Sequence, residues 1–254
     1  MNSSFHSDQT VVADQTLLSD QQWHTRVDPH HRASSLSDII LGGQDGLVNV
    51  LGVILGVAAA TADVRIVLAA GFAAMFAESV SMAAVAYTST QADRALYQSE
   101  KAREYRHIQR VPALEREEIR QIYYDKGFRG ELLEQIVKTI TRDSHVWVDV
   151  MMAEELKLAP IKKYGAVRAA LIVGVAALVG SFIPLVPFLL LPVSSAIWVS
   201  LIVSVLTLFA VGAYKARVTI GRPFRSGLEI AVIGIASALV GYAVGLLFRA
   251  PTVP

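Results

Sequence analysis

The sequence contains no cysteine among its 254 residues. Disulfide bonds, iron–sulfur clusters, thiolate zinc sites and cysteine nucleophiles are therefore excluded. Charge is also scarce, because only 18% of the residues are Asp, Glu, Lys or Arg, against about 25% in a typical soluble domain. The near balance of 23 basic and 22 acidic residues gives no support to nucleic-acid binding. No Gly-x-x-x-x-Gly-Lys-Ser/Thr loop is present, which argues against transport driven by ATP. These absences together argue against an ordinary soluble enzyme.

Long apolar runs dominate what is present. Hydrophobic residues make up 53% of the chain, and the mean hydropathy is +0.45. A bilayer-spanning helix needs about 20 mostly apolar residues. Five segments meet that requirement: Leu36–Ala60, Val64–Thr88, Ala166–Pro184, Phe188–Ala213 and Gly227–Phe248. No stretch alternates as a β-strand does. The sequence therefore predicts an all-α, polytopic membrane protein with five transmembrane helices.

The pattern divides the chain into four regions. They are a polar tail predicted to be disordered (residues 1–34), two spans (35–90), a charged helical insert (91–163) and three further spans (164–254). The insert has no Gly or Pro between Gln91 and Arg110, so we expect the second span's helix to continue into it. Pro184, Pro187 and Pro192 are expected to mark a tight hairpin between the third and fourth spans.

Basic residues predict the orientation in the membrane. The insert holds fourteen Lys and Arg against thirteen Asp and Glu. The linker before the fifth span carries four cations and no acid: Lys215, Arg217, Arg222 and Arg225. Only Arg65 and Arg249 lie at the opposite ends of the spans. We therefore expect the tail, the insert and the linker in the cytosol and the C-terminus on the other side, which requires an odd number of spans.

Carboxylates inside the predicted spans are the first candidates for function. A charged side chain at the centre of a span costs about 2.5–3.5 kcal/mol on insertion scales, so such residues are functional candidates by default. Asp38 and Asp45 are seven residues apart in the first span, which puts both on one helical face. In the second span Glu78 and Met82 are one turn apart. Carboxylates with a thioether favour a divalent transition metal over Mg²⁺ or Ca²⁺.

The insert carries a second set of candidate ligands. Three pairs stand at helical spacing: Glu104 with His107, Glu115 with Glu118, and Met151 with Glu155. Each pair shares a helical face, and packed helices would bring the pairs together. Facing Glu and Glu-x-x-His helices hold the metal in di-iron bundles. A solvated, charged helix surface would show the same spacing, so both interpretations stay open on spacing alone.

These pieces together resemble the vacuolar iron transporter family, from about Leu36 to the C-terminus. The order of two spans, an acidic helical insert and three spans is that of the family. The resemblance rests on three segments: Ser37-Asp38 followed by Gly42-Gly43-Gln44-Asp45-Gly46-Leu47-Val48, then Ala77-Glu78-Ser79-Val80-Ser81-Met82-Ala83, and Asp149-Val150-Met151-Met152-Ala153-Glu154-Glu155-Leu156 at the end of the insert.

The resemblance implies a homodimeric Fe²⁺/H⁺ exchanger that moves ferrous iron out of the cytosol, along a path formed by the first two spans at the dimer interface. It implies a transport site at Asp45, Met82 and Glu78. Asp38, near the cytosolic end of the first span, is expected at the mouth of the path. It also implies metal ligands in the insert: Glu104, Glu115, Glu118, Met151 and Glu155, with His107 in place of a further glutamate. Iron would be the substrate, and we expect neither a prosthetic group nor enzymatic activity. The host membrane would be cytoplasmic in a prokaryote and vacuolar in a eukaryote.

Two departures from the family pattern bear on metal selectivity. Gln44 stands where many members have Asn, and Ala86 stands where many carry a Glu. The membrane carboxylate of this chain lies instead at Glu78, one turn before Met82. Mn²⁺, Co²⁺ and Zn²⁺ therefore stay open as cargo. A membrane-anchored di-iron ferroxidase, a metal-storage protein and a metal sensor are the alternative functions.

Overall fold

The computed structural model describes residues 33–61, 63–161, 165–219 and 221–248, with side chains from Leu36 onward. The described residues form eight α-helices and one π-helical turn: α1 (Ala33–Ala60), α2 (Val64–Arg110), α3 (Pro112–Asp125), α4 (Gly130–Ile140), α5 (Ser144–Val150), the π turn (Met151–Glu155), α6 (Gly165–Leu190), α7 (Val193–Val218) and α8 (Pro223–Leu247). They contain no β-strand, so the all-α prediction is confirmed. The predicted tail, residues 1–34, lies outside the described residues except for its last two, which begin α1.

Five of these helices are long and apolar enough to cross a membrane: α1, α2, α6, α7 and α8. This agrees with the predicted number of spans. α2 is a single helix of 47 residues, because it contains no proline and its only glycine is Gly71. The carboxylate of Asp63 caps its N-terminus by accepting a 2.8 Å hydrogen bond from the backbone N–H of Arg65. The apolar half of α2 ends near Thr88, and the polar half continues as expected to Arg110.

Small residues let α1 pack at near backbone contact with two other spans. A side-chain carbon added at Gly46 would collide with the backbone carbonyl of Ala177 on α6. One added at Gly241 on α8 would collide with the carbonyl of Gly52 on α1. Such close approach is how membrane helices gain packing energy where lipid gives no hydrophobic drive. α1 is therefore held against α6 near its start and against α8 near its end.

The hairpin between the third and fourth spans comes later than predicted. Pro184 and Pro187 lie inside α6, and only Pro192 lies in the turn, as the N-cap of α7. Each internal proline deprives one carbonyl of its helical donor, which a membrane helix tolerates when neighbouring groups compensate. The carbonyls left without a helical donor are those of Gly180 and Ile183, four residues before each proline. Both prolines are buried, and Ser200 of α7 donates a 2.8 Å hydrogen bond to the carbonyl of Pro184, which ties α7 to this part of α6. The predicted break at Pro184 is wrong because packing against α7 overrides the local preference.

Between α2 and α6 the chain forms α3, α4, α5 and the π turn. Pro112 occupies the first turn of α3, where its missing N–H costs nothing. Gly127 and Gly130 both have positive φ, at 99° and 59°, so the backbone can turn sharply between α3 and α4. The helices close around an apolar core that includes Ile119 and Trp147. This core sets the relative position of the charged pairs described below.

Candidate metal sites

A polar group joins the first two spans. Asp45 and Asn49 lie one turn apart on α1, and Glu78 lies on α2. The side-chain amide of Asn49 donates a 2.5 Å hydrogen bond to Oε2 of Glu78. The carboxyl groups of Asp45 and Glu78 lie near enough for their charges to interact. Two acidic side chains from different helices can therefore offer oxygen ligands to one cation.

This group lies on an outer face of the spans. Asp45 and Asn49 are exposed, and Glu78 is half-buried. Neither carboxylate forms an ion pair with a Lys or Arg in the described part of the chain. Hydrocarbon cannot stabilise such groups, so water, a cation or another protein surface must cover them. In the sequence, Asn49 lies on the same helical face as Asp38 and Asp45. Its hydrogen bond to Glu78 is what assigns it to this group.

The two methionines beside Glu78 differ in their surroundings. Met82, one turn after Glu78, is half-buried. Met75, one turn before, is only 4% exposed and packs in the apolar core that also contains Ile54 and Leu185. Only the sulfur of Met82 is thus partly accessible on the Glu78 face.

Asp38 lies apart from the Asp45–Glu78 group. It is two turns earlier on α1, or about 10 Å along the helix axis. Its side chain is half-buried, and its charge interacts with that of Arg168 in the first turn of α6. The structure therefore puts Asp38 at the end of the spans where α6 begins.

A second acidic group surrounds a cavity of about 490 Å³ in the insert. Five predicted ligands line it: Glu104 and His107 on α2, Glu115 and Glu118 on α3, and Glu155 in the π turn. They meet because α2 ends at Val111 and α3 begins directly after it at Pro112, so the last turns of α2 lie close to the first turns of α3. Nδ1 of His107 lies 3.4 Å from Oε1 of Glu115 and 3.9 Å from Oε1 of Glu104. One ligand atom from each of these three residues lies within 4.8 Å of the others, which suits a metal ion.

Two of these carboxylates are buried without full pairing. Glu104 and Glu115 are 4% and 2% exposed, and Oε2 of each has no hydrogen-bond partner among the described residues. An unpaired buried oxygen is costly, and a cation in the cavity would remove that cost. Burial raises the pKa of Glu115 to about 7, with further contributions from Glu118, Glu104 and Glu155. Burial and the carboxylates of Glu118 and Glu104 also raise the pKa of Glu155.

Met151 does not line this cavity. It is fully buried in the apolar core with Ile119 and Trp147. The expectation that Met151 and Glu155 share a face assumed α-helical winding. The segment is π-helical, with hydrogen bonds from residue i to i+5 and more residues in each turn. Residues four apart still lie on roughly one side of such a turn, so the winding does not separate the pair. Met151 packs into the apolar core, and only Glu155 lines the cavity.

Arg103 lines the cavity too, and the sequence pattern did not identify it. It forms an ion pair with Glu100, one turn earlier on α2. Its position directly before Glu104 carries no signal, since adjacent helical residues do not face each other. A cation at the rim partly offsets the negative charge of the cavity.

Comparison with known proteins finds related sequences over most of the chain. The model of the VIT family matches residues 36–246. Vacuolar iron transporter 1 of Arabidopsis thaliana is 34% identical over 227 residues, which are 88% of this chain and 89% of that protein. Vacuolar iron transporter 2 of Oryza sativa subsp. japonica is also 34% identical over 227 residues, covering 88% and 91% of the two chains. Vacuolar iron transporter 1 of Eucalyptus grandis is 33% identical over 203 residues, covering 79% and 82%. With its five apolar helices, this chain is an integral, multi-pass membrane protein, and it belongs to the VIT family.

Proposed function

We propose that this protein carries ferrous iron across a membrane in exchange for protons, and that its insert collects metal for the pathway. The Asp45–Asn49–Glu78 group on the outer face of the first two spans carries this proposal. The names of the relatives, all vacuolar iron transporters, support iron as the cargo. No prosthetic group is needed for this activity, and Fe²⁺ is its substrate.

Exchange follows from the chemistry of two adjacent carboxyl groups. Asp45 and Glu78 repel each other when both are ionised, unless a cation or a proton lies between them. Metal binding requires deprotonated ligands, so an arriving Fe²⁺ displaces a proton and a proton replaces departing metal. The thioether of Met82 favours Fe²⁺ and similar transition metals over Mg²⁺ and Ca²⁺. Metal and protons thus compete for one site, which is the basis of antiport.

A homodimer would cover the exposed face of this group. Asp45 and Asn49 are exposed in the single chain, and a face of this polarity is unfavourable against lipid. A second copy related by a two-fold axis would bring the same face of its own α1 and α2 opposite. The two Asp45–Glu78 groups would then line one pathway between the subunits. We therefore propose that the transporting unit is a dimer formed through α1 and α2.

The insert supplies metal to this pathway from the cytosolic side. Its acidic cavity, built on Glu104, His107 and Glu115, attracts and holds divalent ions. Glu104 and Glu78 lie on one helix, 26 residues or about 39 Å apart, so the ion must travel between the two sites. Asp38, at the end of the spans where α6 begins, is the next carboxylate on that route.

Flux measurements in proteoliposomes test this proposal. Fe²⁺ added outside should drive proton movement that an internal pH dye reports, and Asp45→Asn should abolish it. Asp63→Asn is the matched control. Asn also serves as an N-cap, and Asp63 lies between α1 and α2, at the end of the spans away from Asp38. Unchanged flux in the Asp45→Asn protein would contradict the assigned site. A panel of Mn²⁺, Co²⁺ and Zn²⁺ in the same assay establishes the selectivity.

The alternative functions differ in a measurable way. A ferroxidase, a storage protein or a sensor would use the insert and would not need Asp45 and Glu78. We expect Fe²⁺ added to the detergent-solubilised protein to consume no more oxygen than Fe²⁺ in buffer alone. Oxygen uptake that the His107→Gln substitution removes would favour a ferroxidase. Metal binding without any flux would favour storage or sensing.

A further inference from the structure

We propose that the turn between α7 and α8 carries a binding surface for the phosphate headgroups of anionic phospholipids. Lys215 and Arg217 lie in the last turn of α7. Arg222 is the N-cap of α8, and Arg225 lies in its first turn. These four residues are called the α7–α8 cation patch. Its role is independent of the cargo and of the proton exchange proposed above.

The positive charge of the patch is not compensated within the described chain. All four side chains are exposed, and none forms an ion pair with a described carboxylate. Several cations of the insert are paired by contrast, as Lys126 is with Glu154 at 2.7 Å. Glu229 is the only acidic side chain after Glu155, and although it lies one turn after Arg225 on α8, it forms no ion pair with the patch. The patch is therefore a concentrated positive surface open to an anionic partner.

Two aromatic side chains indicate the depth of the patch in the membrane. Tyr214 is 58% exposed and Phe224 is 72% exposed, each next to a cation of the patch. Exposed aromatic rings at the ends of spans are typical of the level of the lipid headgroups. The ring of Phe224 packs edge-on against Phe209, with centroids 5.8 Å apart. The patch thus lies where lipid phosphates are found.

The turn that presents the cations is firmly packed. The backbone N–H of Thr219 donates a 3.0 Å hydrogen bond to the carbonyl of Lys215, and this bond closes the last turn of α7. A side-chain carbon added at Gly212 of α7 would meet the backbone of Ser226 and Gly227 on α8. Because the two helix ends touch, the four cations lie at the same end of the spans.

Charge complementarity selects the partner. A zwitterionic headgroup carries no net charge, whereas an anionic headgroup is attracted about fivefold more strongly for each nearby Lys or Arg. Salt screens exposed charges, so the attraction should weaken as the ionic strength rises. The patch should therefore prefer phosphatidylglycerol or phosphatidylserine to phosphatidylcholine.

The full-length protein in detergent provides the test. We would titrate it with dioctanoyl phosphatidylglycerol and with dioctanoyl phosphatidylcholine and compare the dissociation constants. Wild-type protein should bind the anionic lipid at least about tenfold more tightly. The fourfold variant K215Q/R217Q/R222Q/R225Q should lose at least that preference. A control variant, R106Q/R110Q/K138Q/R142Q, removes four exposed cations from the insert instead and should retain it.

Several outcomes would overturn the proposal. Equal loss in both variants would mean that net charge alone attracts the lipid. Equal binding of the two lipids by the wild-type protein would mean that the patch selects no headgroup charge. Displacement of the anionic lipid by inorganic phosphate at the same concentration would identify a free-phosphate site instead. A salt titration of the wild-type protein needs no variant. If high salt leaves its affinity for the anionic lipid unchanged, the patch does not bind the lipid through its charge.

Discussion

Asn49 on α1 donates a 2.5 Å hydrogen bond to the carboxylate of Glu78 on α2. The bond fixes the orientation of a membrane carboxylate from a neighbouring helix, and it leaves the second oxygen of Glu78 and the carboxyl group of Asp45 to share a ligand. Polar groups inside spans are commonly held by such interhelical bonds. The geometry of the candidate transport site therefore depends on an uncharged residue.

Asn49→Ala removes this donor, and we expect iron flux in proteoliposomes to fall about tenfold. A hydrogen bond to a charged group contributes about 1.5–3 kcal/mol, and about 1.4 kcal/mol corresponds to a factor of ten. Ser237→Ala is the control, because it deletes a different hydrogen bond, to the carbonyl of Val48 on α1, and leaves the carboxylates untouched. Wild-type flux in the Asn49→Ala protein would mean that the bond has no role in transport.

Glu78→Gln keeps the size of the side chain and an oxygen that accepts from Asn49, but it removes the ionisable group. Iron-driven proton movement should disappear, and any remaining metal flux should be independent of the pH gradient. Glu131→Gln, on the exposed start of α4, causes the same change in charge and should leave exchange intact. Proton movement that persists in the Glu78→Gln protein would show that Asp45 alone couples the two ions.

The insert should bind metal more weakly as the pH falls through 7. The pKa of Glu115 is raised to about 7, mainly by burial, so this ligand becomes protonated in the range where an ordinary glutamate stays ionised. Metal must displace that proton. Calorimetric titration with Fe²⁺ under anaerobic conditions at several pH values measures the effect. An affinity for Fe²⁺ that stays constant from about pH 6 to about pH 8, on either side of this pKa, would contradict Glu115 as a ligand.

The same raised pKa makes a prediction about stability without metal. Between pH 4.5, the ordinary pKa of this side chain, and about pH 7, its raised pKa, the folded protein holds a proton on Glu115 that the unfolded chain has lost. The free energy of unfolding should therefore fall as the pH rises through this window, by up to about 3 kcal/mol. Glu115→Gln should remove most of this dependence and raise the melting temperature at high pH. An unchanged pH profile in that variant would show that Glu115 titrates normally.

Packing of α1 against α8 should be intolerant of larger residues at the crossing. In Gly241→Val the new side chain would collide with the carbonyl of Gly52, and overpacking typically costs about 1–3 kcal/mol. Gly43→Ala is the control, since its added carbon would lie 3.6 Å from the carbonyl of Ala176, an ordinary contact. We expect a lower melting temperature for Gly241→Val and little change for Gly43→Ala. Equal melting temperatures would mean that the helices separate easily at this crossing.

Apolar length and local helix signals determined most of the fold from sequence. Spans are recognisable because a bilayer requires about 20 apolar residues, and the structure has five helices that meet this condition. Asp63, Pro112 and Gly127 act locally, through a side-chain cap, a fixed φ and a positive φ, so the boundaries near them could be predicted. Pro184 and Pro187 could not, because whether a proline ends a helix depends on the groups that surround it.

For the candidate sites, sequence spacing determined which residues share a helical face, and tertiary structure decided which faces meet. The spacing of Glu104, His107, Glu115 and Glu118 predicted one face on each of two helices, but only the packing of these helices around the break at Val111 puts both faces around one cavity. Burial of Glu104 and Glu115, which makes a cation favourable there, follows from packing and has no local signature. Met151 packs in the apolar core whereas Glu155, four residues later, lines the cavity, and their spacing did not predict this division. Local spacing describes a single helix, whereas burial and hydrogen bonds between helices are properties of the whole packed chain.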